Sequence, residues 1–340
     1  MVKYLPTVSF ITCTLNSQKI IKECLDSIKN LDYPKNLIEV IIVDGGSDDK
    51  TLEIANKYPF CRIMVYKTDG PEIATAIGYN NARNELLVNF PSDNVIPNSK
   101  WLKEMIQPLI ENPDVFACET LRYTYVKRDK PLNRYFALFG VNDPIAFYFH
   151  KADRASYFED GWHLPVKVVD KDNYYIASFN SNNLPTVGAN GYVIRRKIAL
   201  LISKDPEKFF HMDTSLDLLN MGYNKIAFVK NSIWHKTGEE LFTFIKKRKR
   251  YATSLYLNKQ NIRRYHLVDF KKDKFKLIFF VFLSLTIIEP LCHSIKGYRK
   301  IHDLAWFLHP ILCFLITIVY IDTWLSFKLK ILFNKNETQL

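Results

Sequence analysis

The sequence predicts an α/β fold, with a mainly parallel sheet flanked by helices and with hydrophobic helices at the C-terminal end. Two patterns in the 340-residue chain indicate this class. Over residues 8–90, short apolar runs rich in β-branched side chains alternate with segments of helical spacing, which is typical of parallel sheets. Over residues 277–330, two longer apolar stretches follow.

Four apolar runs predict the parallel strands, at Val8–Thr14, Ile38–Val43, Cys61–Tyr66 and Leu86–Phe90. The segments between them predict three helices, one capped by Asn16-Ser17, one at Ser47–Tyr58 and one at Pro71–Asn84. Ligands of parallel sheets bind beyond the carboxyl ends of the strands. We therefore expect Thr14, Asp44 and Asp93 to lie along one edge of the sheet.

The chain from about residue 120 to residue 185 is aromatic and irregular, and regular structure is predicted again after it. The later elements are a loop and strand with two glycines at Leu184–Ile194, a helix at Met212–Met221, a strand at Lys225–Val229 and a basic helix at Thr243–Tyr256.

Positive charge is concentrated near the C-terminal end. The chain has a formal net charge of +12, and almost all of this excess lies between Leu241 and Lys276. A nucleic-acid surface would spread basic residues over a folded face, whereas a basic block before apolar stretches favours an anionic membrane surface. The six cysteines form no CxxC pair and predict thiols in a reducing compartment. The first ten residues do not resemble a signal peptide.

The two apolar stretches, Leu277–Ile288 and Leu304–Phe327, are open to three interpretations. The first is too short to cross a bilayer unless it continues to Ile295, and the second is long enough. Basic residues flank both stretches on every side, so a two-span hairpin and a helical pair that dips into one leaflet are both compatible with the sequence. Core helices of a soluble domain are the third interpretation.

Three aspartates follow the pattern that an enzyme acting on a nucleotide-sugar needs. Such an enzyme needs a polar group for the base and ribose, positive charge for the diphosphate and a base for the acceptor hydroxyl. Asp44, Asp93 and Asp213 stand where these roles would fall. The surrounding motifs resemble, in order, those of family 2 glycosyltransferases over Val8 to His235: VSFITCTLN, IIVDGGSDDKT, FPSDN, VGANGYVIRR and MDTSLDLLNMGYNKI.

The resemblance implies a GT-A fold, a nucleotide-sugar donor, a divalent cation (Mn²⁺ or Mg²⁺) and transfer by direct displacement with inversion. It implies that Asp44 contacts the base or ribose, Asp93 the metal, and Asp213 the acceptor hydroxyl as general base. The other positions assigned are Thr14, Asn16 and Ser92 for the donor, His235 as a further metal ligand, Gly188, Asn190, Gly191, Lys151 and Arg154 on the acceptor side, and Arg248 and Arg250 for diphosphate or lipid headgroups.

The chain departs from the family pattern at three places. Pro91 replaces the first aspartate of the metal motif, so Asp93 is the carboxylate that remains in this loop. Met212 stands where a glutamate usually precedes the catalytic aspartate. Arg83 is out of register with the donor-side arginine of the family, whose position falls on residues 74–76.

The sequence thus predicts a membrane-associated inverting glycosyltransferase with a cytoplasmic catalytic domain, a nucleotide-sugar donor, a glycan or lipid-linked acceptor and no nucleic-acid partner. The predicted domains are 1–240 (nucleotide-sugar half 1–100, acceptor half 101–240), a basic helical linker 241–276, a membrane-associated helical pair 277–330 and a polar tail 331–340. Alternatives are a polyprenyl-phosphate sugar synthase and a catalytically decayed nucleotide-sugar-binding scaffold. A nucleotidyltransferase is disfavoured because no Gly-rich triphosphate loop follows the first strand.

Overall fold

The computed structural model describes residues 4–67, 70–237, 240–257, 262–269 and 271–337. For residues 255, 256 and 331–337 it describes the backbone only. The last three residues of the predicted polar tail therefore lie outside the described residues. The chain divides into two units. The first unit is Met1–Thr124, Asp153–Ala155 and Trp162–Thr237, and the second is Tyr125–Ala152, Ser156–Gly161 and Gly238–Leu340.

Among the described residues, ten strands form the sheet of the first unit. They are β1 (Val8–Thr14), β2 (Ile38–Asp44), β3 (Cys61–Val65), β4 (Leu86–Asn89), β5 (Asn94–Val95), β6 (Ala117–Tyr123), β7 (Val168–Asp170), β8 (Tyr174–Ser178), β9 (Tyr192–Arg195) and β10 (Lys225–His235). The order is β3-β2-β1-β4-β9-β6-β10-β8-β7, and β5 pairs with β10.

The helices of the two units are α1 (Ile21–Lys29), α2 (Thr51–Ala55), α3 (Pro71–Asn81), α4 (Trp101–Glu111), α5 (Pro131–Phe139), α6 (Pro144–Tyr148), α7 (Arg196–Ile202), α8 (His211–Asn220), α9 (Leu241–Tyr251), α10 (Lys274–Thr286), α11 (Ile288–Lys300) and α12 (Leu308–Glu337). A π-helical segment, Ala252–Leu257, continues α9.

The parallel part of the sheet is the one that the apolar runs predict. Strands β3, β2, β1 and β4 are parallel neighbours, and β1 and β2 are in register from Val8↔Ile38 to Thr14↔Asp44. Every residue of β1 is buried, as expected for a strand covered on both faces. Helix α3 packs closely on β1, since a Cβ at Gly78 would lie 2.2 Å from Ile11 Cγ2. The predicted α/β frame is confirmed.

Beyond β4 the sheet becomes mixed. Strand β9 is antiparallel to both β4 and β6, β6 and β10 are parallel, and β8 and β5 run antiparallel to β10. Strand β10 continues to His235, six residues beyond the predicted end at Val229, because its far end pairs with β5. That pairing places His235 opposite Asn94.

Two helix predictions in the first unit are wrong in detail. Helix α1 begins at Ile21 without a side-chain cap, because Asn16 adopts a positive φ of 50° and its side chain accepts a hydrogen bond from the Asp48 amide. Helix α2 begins at Thr51 and not at Ser47, because the Asp49 carboxylate accepts from the amides of Gln18 and Thr51 and holds the preceding residues as a loop.

The second unit is helical. Its core surrounds Phe139 and Trp306, whose ring centroids are 4.9 Å apart, and includes Leu312 and Ile316 of α12. A Cβ at Gly297 would lie 2.4 Å from the Trp306 ring, so α11 can approach that ring closely. Residues 125–152, which the sequence assigns to the acceptor half, pack here with the C-terminal helices. Among the described residues, one stretch, Leu304–Lys330, is long and apolar enough to cross a membrane, and the bent pair α10 and α11 would do so only as a single broken span.

Candidate active site

Three loops meet at the carboxyl edge of strands β1, β2 and β4. Thr14 ends β1 beside Asp44, which ends β2. The amide of Ser92, just after β4, donates to the Cys13 carbonyl (3.2 Å), and the hydroxyls of Ser17 and Ser92 are 2.9 Å apart. The structure thus brings the predicted donor-side residues together at one edge of the sheet.

Asp44 organises the loop that follows it. Its carboxylate is fully buried and accepts from the amides of Gly46 (2.9 Å) and Ser47 (2.7 Å) and from the Ser47 hydroxyl (2.6 Å). The Ser47 hydroxyl in turn accepts from the Asn16 amide at 2.9 Å. Asp44 therefore fixes the conformation of the loop that follows β2. Its contact with a base or ribose stays a prediction.

Thr14 and Ser92 line the same edge but differ in their hydrogen bonding. The Thr14 hydroxyl is buried and has no hydrogen-bond partner among the described residues, whereas Ser92 is paired with Ser17. A buried hydroxyl without a partner is costly unless a ligand or water satisfies it. Thr14 is therefore suited to a donor contact.

Asp93 and His235 face each other across the β5–β10 pair. His235 Nε2 lies 3.2 Å from Asp93 Oδ2, and the Lys236 amide donates to the Asp93 carbonyl at 2.8 Å. The Asp93 side chain is 37% exposed and that of His235 is 11% exposed. The His235 Nδ1 atom is buried without a hydrogen-bond partner in the described part of the chain.

These two side chains fit a weakly held divalent cation. Carboxylate oxygen and imidazole nitrogen are both ligands of Mn²⁺, and His235 Nε2 is the ring nitrogen that faces Asp93. Within the residues described here, no group of three or more His, Cys, Asp or Glu side chains is arranged to hold a metal. Water and donor phosphates would have to complete the coordination.

The loop at residues 188–191 is the predicted acceptor-side segment, and it is hydrogen-bonded to β4 and to β5. Gly188 and Gly191 have φ of 112° and 75°, which favours glycine at both positions. Asn89 donates to the Gly188 carbonyl (2.9 Å), and its own carbonyl accepts from the Gly191 amide (2.8 Å). Asn94, next to Asp93, donates to the Asn190 side chain at 3.1 Å.

A buried ion pair holds the same loop from the other side. The Arg154 guanidinium is fully buried and donates to Glu119 (2.7 Å) and to the Asn190 carbonyl (2.8 Å), while Glu119 accepts from the Gly188 amide (3.1 Å). Burial raises the pKa of Glu119 to about 7, against the opposing effect of the Arg154 charge. Arg154 is thus buried against this loop and contacts it directly at Asn190 and, through Glu119, at Gly188.

Asp213 lies in the first turn of α8 and is 2% exposed. The start of this helix is fixed by Glu72 of α3, which accepts from the His211 amide (3.0 Å) and lies 2.7 Å from His211 Nδ1. A Cβ at Gly188 would lie 3.1 Å from His211 Cβ, so the acceptor-side loop packs directly on this turn.

Sequence reasoning missed Glu72 and Glu119. Both are single carboxylates outside the recognised motifs, and their partners lie far away along the chain. The one local signal is Glu119, a charged residue inside the apolar run of β6, since an acid buried in a strand needs a partner.

Lys151, Arg248 and Arg250 lie in the second unit. The Lys151 amine donates to two backbone carbonyls at 3.0 Å each, and burial lowers its pKa. Arg248 donates to the Asn142 carbonyl and lies 3.7 Å from Asp143, whereas Arg250 is exposed. Their predicted contacts with acceptor, diphosphate or lipid stay predictions.

A sequence model of the glycosyl transferase family 2 matches residues 9–168. The dolichyl N-acetyl-alpha-D-glucosaminyl phosphate 3-beta-D-2,3-diacetamido-2,3-dideoxy-beta-D-glucuronosyltransferase of Methanococcus voltae is 34% identical over 106 residues, which are 29% of this chain and 33% of that protein. The probable glycosyltransferase YdaM of Bacillus subtilis is 22% identical over 343 residues, 97% of this chain and 74% of that protein. The chain thus spans about a third of the first relative and about three quarters of the second.

Among solved structures, the mannosyltransferase PcManGT from Pyrobaculum calidifontis, in complex with GDP-Man and Mn²⁺, has a TM-score of 0.53. It is 16% identical in sequence, and the match covers 95% of this chain and 87% of that one. At this identity the likeness concerns the fold, which is the α/β sheet with flanking helices predicted from the sequence.

Proposed function

Residues 9–168 belong to the family 2 glycosyltransferases, and on that premise we propose that the chain transfers a sugar with inversion from a nucleoside-diphosphate sugar to a glycan or lipid-linked acceptor. The family resemblance and the GT-A fold expected from the motifs are confirmed. The observation that carries the finer proposal is that the 188–191 loop contacts both Asn94, next to Asp93, and the first turn of α8, which carries Asp213.

In the proposed reaction, the acceptor hydroxyl attacks the anomeric carbon as the bond to the diphosphate breaks. The Asp213 carboxylate takes the hydroxyl proton, so that the nucleophile forms as it attacks. The nucleoside diphosphate leaves with the bonding electron pair, and attack from the opposite face inverts the configuration. The Glu72–His211 contact and the Gly188 packing hold the first turn of α8, and hence Asp213, in place.

We propose that Asp93 and His235 hold a divalent cation, Mn²⁺ or Mg²⁺, against the donor diphosphate. When bound, the cation would neutralise charge that develops on the leaving group. Thr14, Asn16 and Ser92 border the same edge and are proposed to face the donor. The Pyrobaculum mannosyltransferase, solved with GDP-Man and Mn²⁺, supports this donor class and metal for a chain of this fold.

A lipid-linked acceptor at the cytoplasmic face of a membrane is the favoured acceptor class. The Methanococcus relative is named for a dolichyl-phosphate-linked substrate. The basic residues before α10 and the apolar helices after them suit an enzyme that meets its acceptor at a lipid surface. A polyprenyl-phosphate sugar synthase is the narrower form of this proposal.

The test is a comparison of two isosteric substitutions on α8. Asp213→Asn should bind nucleotide-sugar as the wild type does but lose transfer by about 100-fold or more, since a positioned general base contributes about that much. Asp217→Asn, one turn further along the same helix, is the matched control and should transfer normally. Full activity of Asp213→Asn would remove the base assignment. Donor binding without turnover by the wild type would favour the decayed scaffold.

A further inference from the structure

The second unit carries an apolar face on helix α10 that no described side chain covers. Phe275, Phe279 and Phe282 are 84%, 60% and 59% exposed, and their spacing places them on one side of the helix. Ile278 and Leu285 extend this face with 57% and 45% exposure. An apolar patch of this kind marks a protein or membrane interaction surface.

Neither α10 nor α11 is long enough to cross a bilayer by itself. Each has 13 residues and is about 20 Å long, against a hydrocarbon core of about 30 Å. They meet at an angle of 72° at Ile287, which has a φ of 64°. If one helix stood along the membrane normal, the other would extend the pair by only about 6 Å in that direction. The pair can therefore enter a leaflet and turn back.

Helix α12 has the length of a span, but charged groups lie beside its middle. Asp322 is about 21 Å from the start of the helix at Leu308, which would be roughly 9 Å inside the far side of the hydrocarbon core. It forms an ion pair with Lys249 of α9 at 2.7 Å, and both side chains are about half exposed. Two residues earlier, Tyr320 donates to Asp143.

A neighbouring side of α12, which also carries Tyr320, packs on the helical core of the same unit. Leu312 and Ile316 are fully buried in the cluster that contains Tyr135 and Phe139 of α5. Crossing the bilayer along α12 would therefore bring α5, α9 and their charged residues into hydrocarbon, which charged groups avoid. This packing favours an arrangement in which α12 lies against α5 and α9 and does not cross the bilayer.

Basic residues border the apolar elements at each end. Lys271, Lys272, Lys274 and Lys276 are exposed around the start of α10, Lys296 and Arg299 near the end of α11, and Lys328 and Lys330 towards the end of α12. In a crossing arrangement some of these groups would lie on the far side of the membrane. In a one-sided arrangement all of them can meet the anionic headgroups of one leaflet.

We infer that the C-terminal helices attach this chain to a single leaflet of an anionic bilayer, with the α10 phenylalanines inserted and with no helix crossing. The inference rests on the membrane partner proposed above and adds its geometry. The occupant of the apolar face is lipid, because four exposed lysines surround its start, while Asp269 and Asp273 beside them are only partly exposed.

The first test measures flotation of the full chain with phosphatidylcholine vesicles, with and without phosphatidylglycerol. The wild type should float, more so with the anionic lipid. The variant Phe275→Glu/Phe279→Glu/Phe282→Glu should lose at least about tenfold in partitioning while keeping its far-UV circular dichroism. The control is Val169→Glu/Leu201→Glu/Met221→Glu, which places the same charges on exposed apolar residues of the first unit. Equal flotation of both variants, or none by the wild type, would overturn the inference.

The second test locates the ends of the helices. In a Cys292→Ser background, which removes the exposed cysteine of α11, Arg299→Cys and Lys330→Cys are labelled with an impermeant maleimide in sealed membrane vesicles. Both positions should react from the side that bears an N-terminal tag. Reaction of either only from the opposite side would show a crossing helix and reject the one-leaflet arrangement. Turnover of nucleotide-sugar by the same vesicles reports separately on the proposed function.

Discussion

Replacing Arg154 with Met should destabilise the first unit and loosen the loop at residues 188–191. The guanidinium donates to Glu119 (2.7 Å), to the Asn190 carbonyl (2.8 Å) and twice to Asp153 (3.2 Å each). Loss of one member of a buried ion pair costs about 3–5 kcal/mol. We expect the lower end, about 3 kcal/mol, because a Glu119 carboxyl with a pKa of about 7 can take up a proton once its partner is gone.

The expected result is a fall in melting temperature of about 6–12 °C, by the usual scaling for a unit of this size. Near-ultraviolet circular dichroism follows the melt, and hydrogen exchange of the Gly188 amide, which donates to Glu119, reports on the loop. Arg195→Met is the matched control, since Arg195 donates instead to the carbonyls of Leu109, Asn112 and Val115.

The control should lower the melting temperature without faster exchange at Gly188. A melting temperature of Arg154→Met equal to that of the wild type would refute this role of Arg154. So would hydrogen exchange of the Gly188 amide at the wild-type rate in the folded variant. Sugar transfer, measured well below the melt, should fall for Arg154→Met and not for Arg195→Met.

Three further predictions concern the same unit. Asp93→Ala should abolish, and His235→Ala reduce, the extra thermal stabilisation that Mn²⁺ gives to bound nucleotide-sugar, and an unchanged metal response would remove both from the metal site. Folding raises the pKa of Glu119 to about 7, so the folded chain keeps a proton that the unfolded chain releases near pH 4. Binding this proton stabilises the folded state. The stabilisation is full below about pH 4 and is lost as the pH rises through 7. Urea unfolding should therefore show the wild type losing stability relative to Glu119→Gln between about pH 5 and pH 8, and parallel curves would contradict the assignment. Glu72→Ala should lower kcat with little change in the KM for donor, because the His211 contact it removes lies beside the proposed base, and a fall in donor affinity alone would contradict this.

The parallel half of the sheet could be predicted because its signal is local. Each of the first four strands is an apolar run, and parallel packing then places Thr14 and Asp44 side by side. The sequence predicts that the strand before His235 ends at Val229, so the proximity of His235 to Asp93 does not follow from the strand pattern. The pairing of β10 with β5 carries the strand on to His235.

The residues that hold the candidate site in place could not be predicted, because they contact residues far away in the sequence. Glu72 and His211 are 139 residues apart in sequence, and Glu119 and Arg154 are 35 apart. Its loop position predicts that Arg154 meets the acceptor, but its side chain is buried against the 188–191 loop, so we propose that it positions that loop. The short α2 has a similar cause, since side-chain hydrogen bonds of Asp49 outweigh the helical pattern that begins at Ser47.

The most direct measurement is nucleoside diphosphate release from a panel of UDP-, GDP- and dTDP-sugars by the full chain, with Mn²⁺ and a membrane lipid extract as acceptor. The account predicts release from at least one donor, dependence on the lipid extract, and a product whose anomeric configuration, read by nuclear magnetic resonance, is inverted relative to the donor. A product with retained configuration, or no release from any donor that binds, would contradict it.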